Sequence, residues 1–504
     1  MPDQNKAPLA EAVEKHHQAG FISFHMPGHK GCAEQYPHAE QLLGQAVFDS
    51  DLTELAGLDA LHAPAGVIQE AEQLAADLFG AERSWFLVNG TTSGIVAALA
   101  AAGNADGVIL AERACHSSVT SGFVLSGATP YYLEEQYDEE AGIMAGVSTE
   151  TLEYAFANCS GVQAVVLTHP SYYGTYSDLR GIVRIAHAHG VPVIVDEAHG
   201  AQLMFTGQGI PSAMECGADI AIQSTHKMLG SLTQTAMLHL QGSLIDARRL
   251  QHCINMVTST SPSYPLMISL DSTRKRMAAE GRQVWDANRR RAEQAEQAIR
   301  RIPGMRCTTG FRGADGSVRS IEKSRLLIDA LPLGLSGTEL EAILREQFRI
   351  EAEFSDSMRV ILLLGSGTSD EHMARLIQAL ESISAGRAAD GSSGREAALR
   401  KSAGELFRLP VYVEITPRDA VTAPLEILHP EEAEGAVSAA DVAVYPPGIP
   451  VLRPGERITR DILDYILRAK EAGLSVHGLI ESESGFLLAT AQDRQKAMIW
   501  NGYF

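Results

Sequence analysis

Val191-Pro192-Val193-Ile194-Val195-Asp196-Glu197-Ala198-His199-Gly200 places two carboxylates and an imidazole directly behind an apolar, β-branched run. A run of this kind, with no polar alternation, is a strand buried on both faces, as in parallel sheets covered by helices. In open α/β sheets ligands bind at the carboxyl ends of the strands, so Asp196 stands where a bound cofactor can use it. A plain strand-end cap is the alternative reading.

Working outward, the same punctuation recurs from about Gly66 to Gly242. Strands are predicted at Ser84–Val88, Gly107–Leu110, Ala164–Leu167, Val191–Val195 and Asp219–Gln223, with a helix over Thr91–Ala102, the pattern of βαβ units. From Tyr264 to Pro303 the pattern turns helical and charged and predicts a long exposed helix stopped by Pro303 and Gly304, its Arg-rich part a solvated face. A smaller α/β segment follows, with strands at Ser324–Asp329 and Met358–Leu364. The Ala/Gly/Ser-rich stretch after it reads as a linker. The predicted organisation is an N-terminal segment 1–65, a large domain 66–265 with a mostly parallel sheet, a small α/β domain 266–385, a linker 386–400 and a C-terminal α+β domain 401–504.

Composition narrows the partners. The chain has 504 residues, of which 45% are hydrophobic and 20% charged, and its 41 Lys+Arg against 62 Asp+Glu give a formal charge of -21. No basic field is available to hold nucleic acid or an anionic membrane. The six cysteines are scattered without a CxxC, which predicts reduced thiols, no metal framework and a cytoplasmic home. No secretory signal or membrane span is expected.

Four features of the large domain carry chemistry. Asn89-Gly90-Thr91-Thr92-Ser93-Gly94 follows a strand and opens a helix, where amides and hydroxyls make an anion cradle, or only an N-cap. Asp196, with Ala198 and His199, is the second. The third is Ser224-Thr225-His226-Lys227, in which a lysine just past a buried strand loses proton affinity by desolvation and suits Schiff-base chemistry; a surface lysine is the alternative. His116, beyond the Gly107–Leu110 strand, could stack on a flat ring or be a satisfied structural histidine. A phosphate cradle, an acid for a ring nitrogen and an amine are together the parts that pyridoxal phosphate requires. Asp196 and Lys227 are separated by about 30 residues, enough for one helical crossover between parallel strands.

Further motifs make the chain similar to a known family. His25-Met26-Pro27-Gly28-His29-Lys30-Gly31, Leu58-Asp59-Ala60-Leu61-His62-Ala63-Pro64, Asp196 to Gly200, Gln223 to Lys227, Thr260-Ser261-Pro262-Ser263-Tyr264 and Tyr445-Pro446-Pro447-Gly448-Ile449-Pro450 resemble the Orn/Lys/Arg decarboxylases, fold-type-I (aspartate-aminotransferase-like) pyridoxal-phosphate enzymes. The resemblance spans nearly the whole chain and is closest to the short, Gram-positive-type arginine decarboxylases. It implies Lys227 as the Schiff-base lysine, Asp196 on the pyridine nitrogen, His116 stacked on the ring and Ala198 beneath it. Thr91, Thr92, Ser93 and Ser224 would hold the phosphate, with His199 and His226 near the substrate carboxylate or ring hydroxyl. Either His226 or Lys227 would reprotonate Cα. Ser117 departs from the family, where lysine often follows the stacking histidine.

The reaction so implied is decarboxylation of a basic L-amino acid, with arginine giving agmatine for polyamine biosynthesis. Lysine and ornithine, giving cadaverine and putrescine, remain open. Asp49, Asp51, Glu54 and Asp59 could meet a cationic side chain or be solvated loop acids. An aminotransferase or another lyase on the same fold is the rival enzyme, and a silent regulator or amino-acid-binding module is disfavoured by the presence of Lys227 and Asp196. A homodimer or larger homo-oligomer sharing the site is implied, with Ser261, Ser263 and Tyr264 serving the neighbouring subunit. With HMPGHK so near the start, no receiver-like extra domain and no large ring assembly is expected.

Overall fold

The computed structural model describes residues 2–207, 209–387, 404–445, 448–471, 474–482 and 485–491. Seven strands and four helices matter most below. The strands are β1 Arg83–Leu87, β2 Val108–Glu112, β3 Thr129–Leu133, β4 Val162–Thr168, β5 Val193–Asp196, β6 Ile220–Gln223 and β7 Ala236–Leu240; the helices are α1 Pro8–Gln18, α2 Val67–Phe79, α3 Gly90–Ala102 and α4 Tyr264–Ile299. The chain forms two compact units, Met1–Ala101 with Pro192–Asp286 and Ala102–Val191 with Ala287–Phe504.

In the first unit the strands lie in the order β1, β7, β6, β5. β7 runs antiparallel to both β1 and β6, and β6 is parallel to β5. Every residue of β5, β6 and β7 is buried, as their unbroken apolar runs require. Helix α3 packs so closely that a Cβ on Gly94 would stand 2.7 Å from Leu87 Cδ1 and 2.8 Å from Ile222 Cγ2. Only glycine permits that approach.

Helix α2 begins where the Asp59 carboxylate accepts the backbone N–H groups of Ala65, Gly66, Ile68 and Gln69, amides that a helix N-terminus leaves without intrahelical partners. Its apolar face joins α1 and the first part of α4 in one core through Leu9, Val13, Ile68, Phe79, Tyr264, Met267 and Leu270.

The second unit sets β4, β2 and β3 side by side, all parallel. A four-stranded antiparallel sheet in the order Arg306–Thr308, Arg325–Asp329, Val360–Leu363, Phe354–Ser355 follows, covered by the helices Gly337–Phe348 and Asp370–Ala385. The C-terminal part is α+β: the amphipathic helix Arg460–Glu471 buries Ile462, Leu463 and Ile466 against the short strands Val442–Tyr445 and Pro450–Leu452. Among the described residues no helix is long and apolar enough to cross a membrane.

The strands predicted from apolar runs lie within about two residues of those observed. β3 and β7 were not foreseen, because Pro130, Tyr131 and Tyr132 in one and His239 in the other interrupt the apolar signal. Helix α4 corrects a second expectation, since it buries Tyr264, Met267, Leu270, Met277 and Trp285 rather than standing exposed. Most of the linker 386–400 and Pro446-Pro447 lie outside the described residues.

Asp271 and Arg274 of α4 are the deepest departure from a solvated face. Their side chains are fully buried and 2.8 Å apart. Asp271 also accepts the Leu9 N–H at 3.0 Å, while Arg274 donates to the carbonyls of Gln4, at 2.9 Å, and Lys6. The pair therefore clamps the N-terminal segment onto α4. Removing one member of a buried pair strands the other charge, so Asp271→Ala is expected to destabilise the protein by about 3–5 kcal/mol. Urea unfolding of the variant beside the parent protein measures this, and a loss below about 0.5 kcal/mol, the range of ordinary surface substitutions, would contradict the clamp.

Candidate active site

The carboxyl ends of β1, β5 and β6 carry the three chemical segments of the first unit, as parallel-sheet geometry dictates. After β1 the chain turns into α3 through Gly90, whose φ is +70° and whose N–H is bonded to the Gln234 carbonyl at 2.7 Å. Gln234 in turn donates its side-chain amide to the Val88 carbonyl at 2.6 Å, so both sides of the turn are tied. Thr91 Oγ1 and Ser224 Oγ, from the ends of different strands, approach to 3.3 Å. Ser93 is buried and donates its hydroxyl to the Gly90 carbonyl at 3.0 Å, whereas Thr92 is exposed. The Ser93 proton is thus engaged in the turn, and the hydroxyls available to an anion are those of Thr91, Thr92 and Ser224.

The second cluster is formed by β5 and β6. Asp196 is 5% exposed and accepts the Ala198 N–H at 3.1 Å, which turns the chain so that His199 follows on the same side. Lys227 Nζ stands 3.1 Å from His199 Nε2. A lysine ammonium can only donate, so Nε2 is the accepting nitrogen and the imidazole carries its proton on Nδ1. His226 is oriented by a 2.7 Å bond from Nδ1 to the Thr235 carbonyl, which fixes Nδ1 as its protonated nitrogen.

The other candidates fall elsewhere. His116 belongs to the second unit, where it caps the helix Ser117–Ser126, accepting the Ser118 N–H at 3.1 Å. Among the acids considered for a cationic substrate, Asp59 is occupied as the α2 cap and Asp51 is bonded to His29 at 3.1 Å. Asp49 accepts the Gln45 amide at 2.8 Å and Glu54 is exposed. Tyr264 corrects another expectation: it is fully buried and donates to the Asp59 carbonyl at 2.8 Å, so its hydroxyl serves its own chain. Sequence reading missed Glu197, Gln223, His239 and Ser84, a buried polar group beneath these segments, because isolated polar residues in apolar strands have no periodic signal.

The residues of the first unit fit pyridoxal phosphate. The N-terminus of α3, thirteen residues long, presents amides and hydroxyls to an anion. A Cβ on Gly90 would meet nothing within 4 Å among the described residues, which leaves open space at the mouth of the cradle. Lys227 would supply the amine and Asp196 the carboxylate for a ring nitrogen.

Comparison with known proteins agrees. The fold is that of fold-type-I pyridoxal-phosphate enzymes: the chain superposes on the lysine decarboxylase LdcF of Francisella novicida with a TM-score of 0.85 at 21% identity, over 96% of this chain and 81% of that one. Residues 7–315 match the Orn/Lys/Arg decarboxylase major domain and residues 401–500 the C-terminal domain of the same family. Arginine decarboxylase of Bacillus subtilis (strain 168) is 37% identical over 94% of this chain and 96% of its own length, and that of Bacillus anthracis 36% identical over 94% and 95%. The chain belongs to the Orn/Lys/Arg decarboxylase family. It is a pyridoxal-phosphate-dependent decarboxylase of a basic amino acid.

The occupied loop acid yields a pH prediction. Burial acts to raise the Asp59 pKa, but the N–H groups of Ala65, Ala60, Gly66 and Gln69 outweigh it and hold the carboxyl below its usual value. A folded-state pKa below the unfolded one contributes stability above the ordinary carboxylate range and loses it as pH falls through the folded value. Asp59→Asn is therefore expected to lower thermal stability at neutral pH, by about 0.5–2 kcal/mol as for other helix caps, and to narrow the gap from the parent as pH falls below about 4. Thermal melts from pH 7 to 3 check this, and a gap that widens in acid would refute it.

Proposed function

We propose that the substrate is arginine and that the protein converts it to agmatine and carbon dioxide, supplying polyamine biosynthesis in the cytoplasm. The observation that carries the chemistry is the Lys227 amine, 3.1 Å from a buried imidazole at the end of a buried strand, with Asp196 at the end of the next. The choice of arginine is supported by the two Bacillus relatives, each alike to this chain over nearly its full length. The engaged acids weaken one route to a cationic side chain, since Asp49, Asp51 and Asp59 are bonded within the chain and Glu54 is exposed.

Pyridoxal phosphate, when bound, supplies an electron sink for the pair left on Cα as carbon dioxide departs. The chain's own residues do the rest. Thr91, Thr92 and Ser224, with the amides of α3, would hold the phosphate, and Ser93 shapes the turn beneath it. Asp196 would keep the ring nitrogen protonated, and Ala198, with a side chain too small to crowd it, would pack beneath the ring. His116 would be the ring-stacking residue. His199 takes a proton from or returns one to Lys227 Nζ, which makes Lys227 the better placed donor to Cα, with His226 the alternative. Per turnover one carbon–carbon bond breaks and one proton is delivered to Cα. The working unit is a homodimer, with the exposed Ser261 and the half-buried Ser263 near the shared boundary.

Purified protein given equal arginine, lysine and ornithine, with and without pyridoxal phosphate, tests this when amine products are quantified by mass spectrometry. Agmatine formed only with the cofactor is expected, and Lys227→Ala should reduce it to the background without enzyme. Cadaverine or putrescine as the main product would overturn the substrate, and keto acid without amine would overturn the reaction.

A further inference from the structure

Beneath the cofactor-facing segments runs a line of hydrogen bonds that crosses all four strands of the first unit. Ser84 of β1, His239 of β7, Gln223 of β6 and Glu197, next to Asp196 at the end of β5, are each no more than 2% exposed. Ser84 Oγ lies 2.7 Å from His239 Nδ1, His239 Nε2 lies 3.2 Å from Gln223 Oε1, and Gln223 Nε2 lies 2.7 Å from Glu197 Oε2. Glu197 Oε1 accepts the Ala213 N–H at 2.7 Å. Phe79 of α2 stacks on the imidazole, ring centroids 4.7 Å apart, and closes it off.

The chemistry of these groups allows one direction of donation. The backbone N–H of Ala213 can only donate to Glu197 Oε1, and the Gln223 amide turns its NH2 to Glu197 Oε2. Its carbonyl then faces His239 and needs a donor, so Nε2 carries the imidazole proton. A neutral imidazole has one N–H, which leaves Nδ1 to accept the Ser84 hydroxyl. Burial holds the imidazole neutral, pushing its pKa down to about 3. At the other end burial pushes the Glu197 carboxyl up to about 8 against the pull of its two donors, and the charged groups facing it are Glu215 and Asp196.

We propose that Glu197, held by the Gln223–His239–Ser84 chain, is a positioning residue that orients Asp196 for the decarboxylation. The chain adjoins three segments of the site: Ser84 lies on the strand leading to Asn89–Ser93, Gln223 immediately precedes Ser224–Lys227, and Glu197 directly follows Asp196. The Glu197 N–H also bonds to the Ile222 carbonyl at 2.9 Å, so main chain and side chain hold the same junction. By fixing the Glu197 carboxyl, the chain fixes the backbone junction from which the Asp196 side chain projects. This rests on the reading of Asp196 as the partner of the ring nitrogen.

The test is a tautomer. In protein labelled with 15N-histidine, His239 is expected as the Nε2–H form with or without cofactor. In Glu197→Gln the new amide must donate to Gln223, whose amide turns over and donates to His239 Nε2, so the imidazole reverses to Nδ1–H and donates to Ser84. The same variant, loaded with pyridoxal phosphate, is expected to lose roughly 10-fold in kcat with KM within twofold, and its visible absorbance should titrate at a shifted pH. Ser84→Ala, the mildest break, should lower kcat about two- to tenfold in the same way. An Nδ1–H imidazole in the parent protein would overturn the chain, and unchanged kcat and absorbance titration in both variants would overturn its role. Asp196→Asn run alongside separates the two readings: full activity there would refute the assignment of Asp196, whereas the tautomer reports on the chain alone.

Discussion

A strand buried on both faces can present chemistry only at its ends, and the rest of this structure depends on that constraint. β5, β6 and β7 have no exposed side chain, so everything that must meet a ligand is placed in the residues just past the strands. Parallel β5 and β6 deliver their carboxyl ends to the same side, which is why Asp196 and Lys227, far apart in sequence, belong to one region. The same constraint makes polar residues within the strands costly unless every group is bonded. Ser84, Gln223 and His239 meet that demand in one another and in Glu197.

Electrostatics work locally rather than through a general field. A chain of net charge -21 cannot attract an anionic cofactor by its overall potential, so a phosphate would depend on a short-range cradle such as the amides and hydroxyls at the N-terminus of α3. The acids nearest the N-terminal motifs are used in folding: Asp59 organises the start of α2, and Asp51 holds His29. A motif can thus mark a family and still owe its residues to the architecture that supports the site.

Much of this was legible before any coordinates. Unbroken apolar runs ending in Asp196 and Ser224 mark buried strands, and Gly90-Thr91-Thr92 marks the turn that opens α3, because both signals are local in the chain. Partners were not legible. Nothing at the position of His239 announces Gln223, nor does Asp271 announce the Leu9 amide it holds, since such contacts arise only once distant segments are brought together. Ser93 shows what residue type alone leaves out: a serine there suits a phosphate, while its hydroxyl is bonded to the Gly90 carbonyl. The Arg-rich helix shows the converse, where one arginine among many, Arg274, is the buried one.

The central claim is that Lys227, beside His199 at the end of β6, is the amine that holds the cofactor. Reduction of the pyridoxal-phosphate-loaded protein with borohydride fixes the cofactor to whichever amine carries it, and peptide mapping by mass spectrometry then locates the bond. A pyridoxyl group on the peptide containing Lys227, and absent from it after Lys227→Ala, is the predicted result. A stoichiometric label on another lysine would contradict the account at its root.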